Sequence, residues 1–139
     1  MSPDFCLISA PKGVICLVSA LAFHGTTTQV PHQVDLAIEQ KVKRPRISYP
    51  PIRAFWLSGR AFTEGVETHI LDGVSVRIYG PAKTVADCFK YRNKLGMDVA
   101  MEALRLCRQQ KKATVDDLMK YARICRVEAI MRPYLEAML

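Results

Sequence analysis

The order of hydrophobic periodicities constrains this chain most. Residues 66–79, VETHILDGVSVRIY, form two alternating runs on either side of Asp72-Gly73. Gly80-Pro81 then opens a segment in which apolar residues recur at helical spacing to the end. Strands followed by a run of helices exclude an alternating α/β wrap and point to α+β. The hairpin's register can be argued too. A two-residue turn at Asp72-Gly73 would pair Leu71 with Val74 and mix polar with apolar side chains on each face. A three-residue loop of Leu71, Asp72 and Gly73 pairs Ile70 with Val74, Thr68 with Val76 and Val66 with Ile78. It keeps one face apolar and sets Glu67 opposite Arg77. Because a one-residue slip moves every side chain to the other face, the second register is expected, with Gly73 left-handed at a bulge.

Upstream, Pro11 suits a first helical turn and Gly25 the residue past the last. Val14, Leu17, Val18 and Leu21 between them predict a helix buried nearly all round. Val34, Leu36 and Ile38 alternate with Gln33, Asp35 and Glu39, predicting a strand with one wet face, and Ile52 to Leu57 predicts another. Downstream, Val85, Cys88, Phe89 and Arg92 share one helix side up to Gly96. Met97, Ala100, Met101, Leu104 and Cys107 form the next stripe. Thr114 caps a third helix with Asp116 and Asp117 in its first turn, and Val127, Ile130, Met131, Tyr134, Leu135 and Met138 keep helical spacing through Pro133. The expected fold is one α+β domain, residues 1–139. A small, mainly antiparallel sheet of about four strands, including the 66–79 hairpin, packs with an N-terminal helix and a C-terminal helical cluster.

The net charge of +7 is uneven along the 139 residues. Residues 41–60 carry six cations and no acid: Lys41, Lys43, Arg44, Arg46, Arg53 and Arg60. Four of them crowd KVKRPRISYPP, Lys41 to Pro51, with Tyr49, Phe55 and Trp56 nearby. Phosphate contacts need only such side chains and leave no sharper motif, so these six are the candidate DNA-contacting residues. The competing reading is a basic connection whose charge keeps an edge strand from pairing with other chains. A third reading makes Phe55 and Trp56 a surface for dimerisation or for docking a partner. In a second basic block, Lys83, Lys90 and Lys94 share a helix side with Asp87, the pattern of a solvated face laced by i,i+4 pairs.

Catalytic chemistry finds little support. Glu39-Gln40-Lys41 is an E-x-K with Asp35 upstream, as in a restriction-type nuclease. However, Asp35 and Glu39 lie four residues apart on one strand, ~13 Å at strand rise, too far to share an ion. His24, His32 and His69 have no ligand-like spacing. His24 is expected to bond free carbonyls at the end of its helix, and His69 to lie on a polar strand face near Ser75. Cys6, Cys16, Cys88, Cys107 and Cys125 form no CxxC pair, and most fall on apolar faces. Neither metal nor cofactor is expected, nor an enzyme. Val14 to Phe23 is apolar but too short to span a bilayer, and no basic leader precedes it, so a cytoplasmic protein is expected.

The segment RIYGPAKTVADCFKYRNKLGMDVAMEALR, Arg77 to Arg105, together with KGVICLVSALAFHG, Lys12 to Gly25, resembles the C-terminal region of AbiEi-type antitoxins. RPRISYPP and TEGVETH reinforce the likeness. These antitoxins are the transcriptional-regulator half of bacterial type IV toxin–antitoxin systems, which act in abortive infection. The resemblance implies a functional pairing with a nucleotidyltransferase-like toxin, by direct contact or not. It also implies repression of the operon through an N-terminal winged helix, and a C-terminal domain that adds basic surface for DNA. Nothing before Pro11 has a helix-turn-helix pattern. Residues 1–10 are therefore expected to be a remnant of the linker from that winged helix, and the phosphate contacts to be independent of base sequence.

Overall fold

The computed structural model describes residues 13–138. Pro11, Cys6 and the expected linker remnant lie outside them. The described elements run β1 (Gly13–Ile15), α1 (Leu17–His24), β2 (Val34–Glu39), β3 (Ile52–Leu57), α2 (Arg60–Thr63), β4 (Val66–Leu71) and β5 (Val74–Tyr79). Five helices follow: α3 (Pro81–Lys90), α4 (Arg92–Leu95), α5 (Met97–Gln109), α6 (Val115–Ile124) and α7 (Glu128–Ala137). The α+β expectation holds, with five strands rather than about four, in the order β3-β2-β1-β5-β4. The sheet is mixed. β1 runs antiparallel to β2 and β4 to β5, while β2–β3 and β1–β5 are parallel.

The additional strand lies where a helix start was expected. Gly13, Val14 and Ile15 are covered on both faces at the centre of the sheet, so they read as an apolar run without a period of two. Gly13 is needed there, because a Cβ would come within 2.7 Å of a Leu36 methyl. The helix begins at Leu17 and ends as expected at Gly25, whose φ of 73° lets the Thr26 N–H reach back to the Leu21 carbonyl at 2.9 Å.

β2 corrects the one-wet-face expectation: every residue from Val34 to Ile38 is buried, Asp35 included. The core built with α1 and the later helices covers the Asp35 and Ala37 side, while Val42 and Ile47 of the 40–51 connection, which parallel pairing with β3 carries over the sheet, pack on the Leu36 and Ile38 side.

The hairpin register is also corrected. Leu71 pairs with Val74, His69 with Val76 and Glu67 with Ile78 around a two-residue turn. Asp72 (φ 52°) and Gly73 (φ 78°) are both left-handed, the conformation a type I′ turn demands of an Asp-Gly pair. The apolar-face argument had little to act on, because no residue of β4 is fully buried.

One sheet face, with Val14, Ala37, Phe55, Leu57 and Tyr79, packs into a core with Val85, Phe89, Leu104, Leu118 and Met131 from the later helices. α3 is its axis, buried from Ala82 to Phe89. Thr114 forms the expected cap as a full capping box, with the Asp117 N–H donating to the Thr114 hydroxyl and the Thr114 N–H to the Asp117 carboxylate, both at 3.1 Å. α7 continues through Pro133.

A candidate phosphate-binding surface

The six cations of residues 41–60 divide into structural and free groups. Arg53 is structural. Its guanidinium holds Asp35 through two bonds of 2.8 and 3.0 Å, and Asp35 is almost fully buried. Asp35 also accepts the Val18 N–H at 3.0 Å, so a carboxylate on β2 caps the first turn of α1. The acid of the nuclease reading is thus occupied in joining helix, sheet and Arg53. Arg44 donates to the Ile52 carbonyl at 2.6 Å. The neighbouring Pro51 carbonyl accepts from Val34 on β2, so the Ile52 carbonyl points to the outer edge of β3. Arg44 therefore blocks that edge, as the competing reading of the loop holds. Arg60 approaches Glu64 only loosely, at 3.9 Å. Lys41, Lys43 and Arg46 are exposed and, among the described residues, make no side-chain hydrogen bond or ion pair.

The aromatic residues between them separate in the same way. Phe55 is core, edge-on to Tyr91, which removes it from any docking surface. Trp56 is 43% exposed, but its indole N–H donates to the Val42 carbonyl at 2.8 Å and fastens the crossover.

The second basic block departs from its expectation. Lys83 and Asp87 form no solvated face: both are buried, 2.7 Å apart, with the Lys83 ammonium 3.7 Å from the Tyr79 ring centroid. Lys90 and Lys94 do stay exposed.

Folding brings one of the six candidates together with three cations from elsewhere. A cleft of about 470 Å³ is lined by Ser58, Arg60, Lys90, Arg123 and Arg126, with no acidic side chain in its wall. Three elements converge there: the β3–α2 turn, the end of α3 and the end of α6. Arg123 and Arg126 could not be read from the sequence, because residues 113–139 balance to zero charge and nothing local relates them to Arg60. Their place at helix C-termini also complements the helix dipole, so position alone does not argue for a ligand. Arg123 is partly engaged by Glu128, at 2.6 Å.

Arg126 provides the sharper signal. It closes α6 in a Schellman arrangement, with the Val127 N–H on the Ala122 carbonyl at 2.8 Å and the Arg126 N–H on the Arg123 carbonyl at 3.1 Å. Its φ is 61°, where α1 uses a glycine. A side chain at such a position costs on the order of 1 kcal/mol, and this one projects into the basic cleft. Arg126→Gly is therefore expected to raise stability by about 0.5–1 kcal/mol in urea denaturation while weakening any anion held there.

His24, His69 and the described cysteines serve the fold. His24 reaches past its own helix end to donate to the Tyr79 carbonyl on β5 at 2.8 Å, and burial lowers its pKa. His69 lies opposite Val76, 2.9 Å from Glu67 and edge-on to Phe23. Cys16, Cys88, Cys107 and Cys125 are free and buried, and burial raises each thiol, Cys125 to about 12, against any nucleophilic use. Among the described residues no three His, Cys, Asp or Glu side chains gather as a metal site. Nor is any described helix long and apolar enough to cross a membrane. No protein-family model matches the chain, and no curated protein matches its sequence.

Proposed function

We propose that this chain is a non-enzymatic, cytoplasmic antitoxin and transcriptional-regulator domain of the AbiEi type. It holds nucleic-acid backbone on a basic surface, and its functional partner is a nucleotidyltransferase-type toxin. The observation that carries the nucleic-acid half is the cleft of Arg60, Lys90, Arg123 and Arg126, with no acidic side chain in its lining; the exposed Lys41, Lys43 and Arg46 of the crossover add further positive charge. Arginine forks drawn from separate elements suit phosphate oxygens, and none of these contacts reads a base edge. Arg53 leaves the proposed surface, and Arg44 contributes to it only beside its structural bond. The antitoxin half is supported by the quoted motifs. All of PAKTVADCF lies on the buried helix α3, so the likeness it carries is one of fold rather than of a site.

Titration of duplex DNA at several salt concentrations tests the first half. Log affinity is expected to fall linearly with log salt, and the triple change Arg60→Ala, Arg123→Ala, Arg126→Ala to reduce the slope by about 2–3. The triple Lys41→Ala, Lys43→Ala, Arg46→Ala should act in the same direction. No binding at ~50 mM salt, or a slope unmoved by the cleft triple, would remove the nucleic-acid role. Co-expression with a nucleotidyltransferase toxin encoded beside it is expected to restore growth, and an absence of rescue would remove the antitoxin role.

A further inference from the structure

The two edges of the sheet are treated differently. On β3, Arg44 occupies the outward Ile52 carbonyl and the cationic crossover lies alongside. On β4 nothing comparable is present among the described residues. VETHIL contains no lysine and no proline, its six-residue ladder with β5 has no bulge, and Ile70 is 68% exposed. An uncovered apolar edge of this kind is a template for another strand.

Which strand fits follows from the hydrogen-bond phase. Residues flanking a two-residue turn exchange both of their bonds, so Leu71, His69 and Glu67 direct their backbone groups inward to β5. The Gly80 N–H on the Gly65 carbonyl, 2.8 Å, continues the same phase. Val66, Thr68 and Ile70 therefore present N–H and C=O groups outward. A second copy of β4, antiparallel about a two-fold axis at Thr68, meets them in phase. Thr68 lies opposite Thr68 of the second copy, and Val66 opposite its Ile70. On the other face Glu67 lies opposite His69 of the second copy, and the converse pair repeats across the axis. Moving the axis to Glu67 would set two carboxylates against each other. Moving it to His69 would set Glu67 against Leu71. Only the Thr68 axis gives a complementary pair at each of these places.

We propose that β4 is a homodimer edge, joining two copies into a continuous ten-stranded sheet through a self-complementary pairing centred on Thr68. Because the pairing is isologous it closes at two copies, and Arg44 on the far edge prevents further growth. The seam is one strand wide, so the association belongs among weak, transient interfaces.

Sedimentation across ~10 μM to ~1 mM protein, the range that reads weak association, tests this directly. A monomer–dimer equilibrium is expected, weakened about tenfold or more by Ile70→Lys with circular dichroism unchanged. Thr68→Cys gives an independent reading, since hydrogen-bonded partners on the axis have Cα atoms about 5.5 Å apart, within disulfide range. Under mild oxidation Thr68→Cys should cross-link into dimers, and Ile70→Cys, four residues out of register with itself, should not exceed wild type. A chain that stays monomeric throughout, open-ended aggregation in place of a dimer, or cross-linking of Ile70→Cys equal to Thr68→Cys would each overturn the proposal.

Discussion

Lys83→Ala is expected to cost about 3–5 kcal/mol, enough to remove much of the stability of an ordinary domain. Lys83 has no exposed side-chain surface and Asp87 almost none, and their charged atoms are 2.7 Å apart. The ammonium also faces the Tyr79 ring, and the Cys125 thiol donates to the second Asp87 oxygen at 3.4 Å. Deleting the lysine leaves a buried carboxylate with only a thiol for company. The cost comes from that orphan and not from the pair, so Lys83→Met combined with Asp87→Leu is expected to be near neutral, or stabilising. Urea denaturation of the single and double variants separates the two cases, and a single variant as stable as wild type would contradict the burial.

The pH dependence of the same variants has a definite sign. Burial raises the Asp87 carboxyl above its ordinary value of 3.8, and the Lys83 charge opposes the rise. A carboxyl raised in the folded state binds its proton more tightly there than in the unfolded chain. Its contribution to stability is therefore complete below about 3.8 and is lost as pH rises through the folded value. Removing Lys83 removes the opposition, so the gap between Lys83→Ala and wild type should narrow on acidification. A gap that widened in acid would mean that Asp87 is charged in the variant and satisfied by other groups.

Why Lys83 and Asp87 read as a surface pair is instructive. An i,i+4 Lys–Asp pair has the same sequence signature in water and in a core. Its burial is decided by distant residues: Gly65, where a Cβ would come 2.7 Å from the Lys83 Cβ, and Cys125 from beyond α6. Local chemistry was legible wherever it was sufficient. Thr114 with Asp117 made its capping box, Gly25 closed α1, and the order of strands before helices gave the fold class. The hairpin register does not follow the side-chain pattern because Asp72-Gly73 demands a type I′ turn, on a strand too exposed for pattern to decide. β1 is hidden because a three-residue central strand covered on both faces has no period. The cleft was half legible: Arg60 stood out in an acid-free run, whereas Arg123 and Arg126 joined it only through folding.

Asp35→Ala is the second large effect, about 3 kcal/mol. Its carboxylate makes charge-assisted bonds to Arg53 at 2.8 and 3.0 Å and accepts the Val18 N–H at 3.0 Å, so its loss breaks an ion pair and uncaps α1 together. The figure stays at the lower end for a buried pair because the Arg53 side chain is 34% exposed and can turn its charge to water. Asp35→Asn keeps an acceptor for Val18 and should cost less, about 1–2 kcal/mol. Arg53→Ala should also destabilise, since it strands a carboxylate that is 2% exposed, and the double variant should lose less than the sum of the singles. The same set decides the place of Arg53 in function. If the guanidinium serves Asp35 alone, DNA affinity measured on folded Arg53→Ala will match wild type while its urea midpoint falls. A variant of unchanged stability that has lost affinity would return Arg53 to the phosphate-binding surface and leave Asp35 without its structural partner.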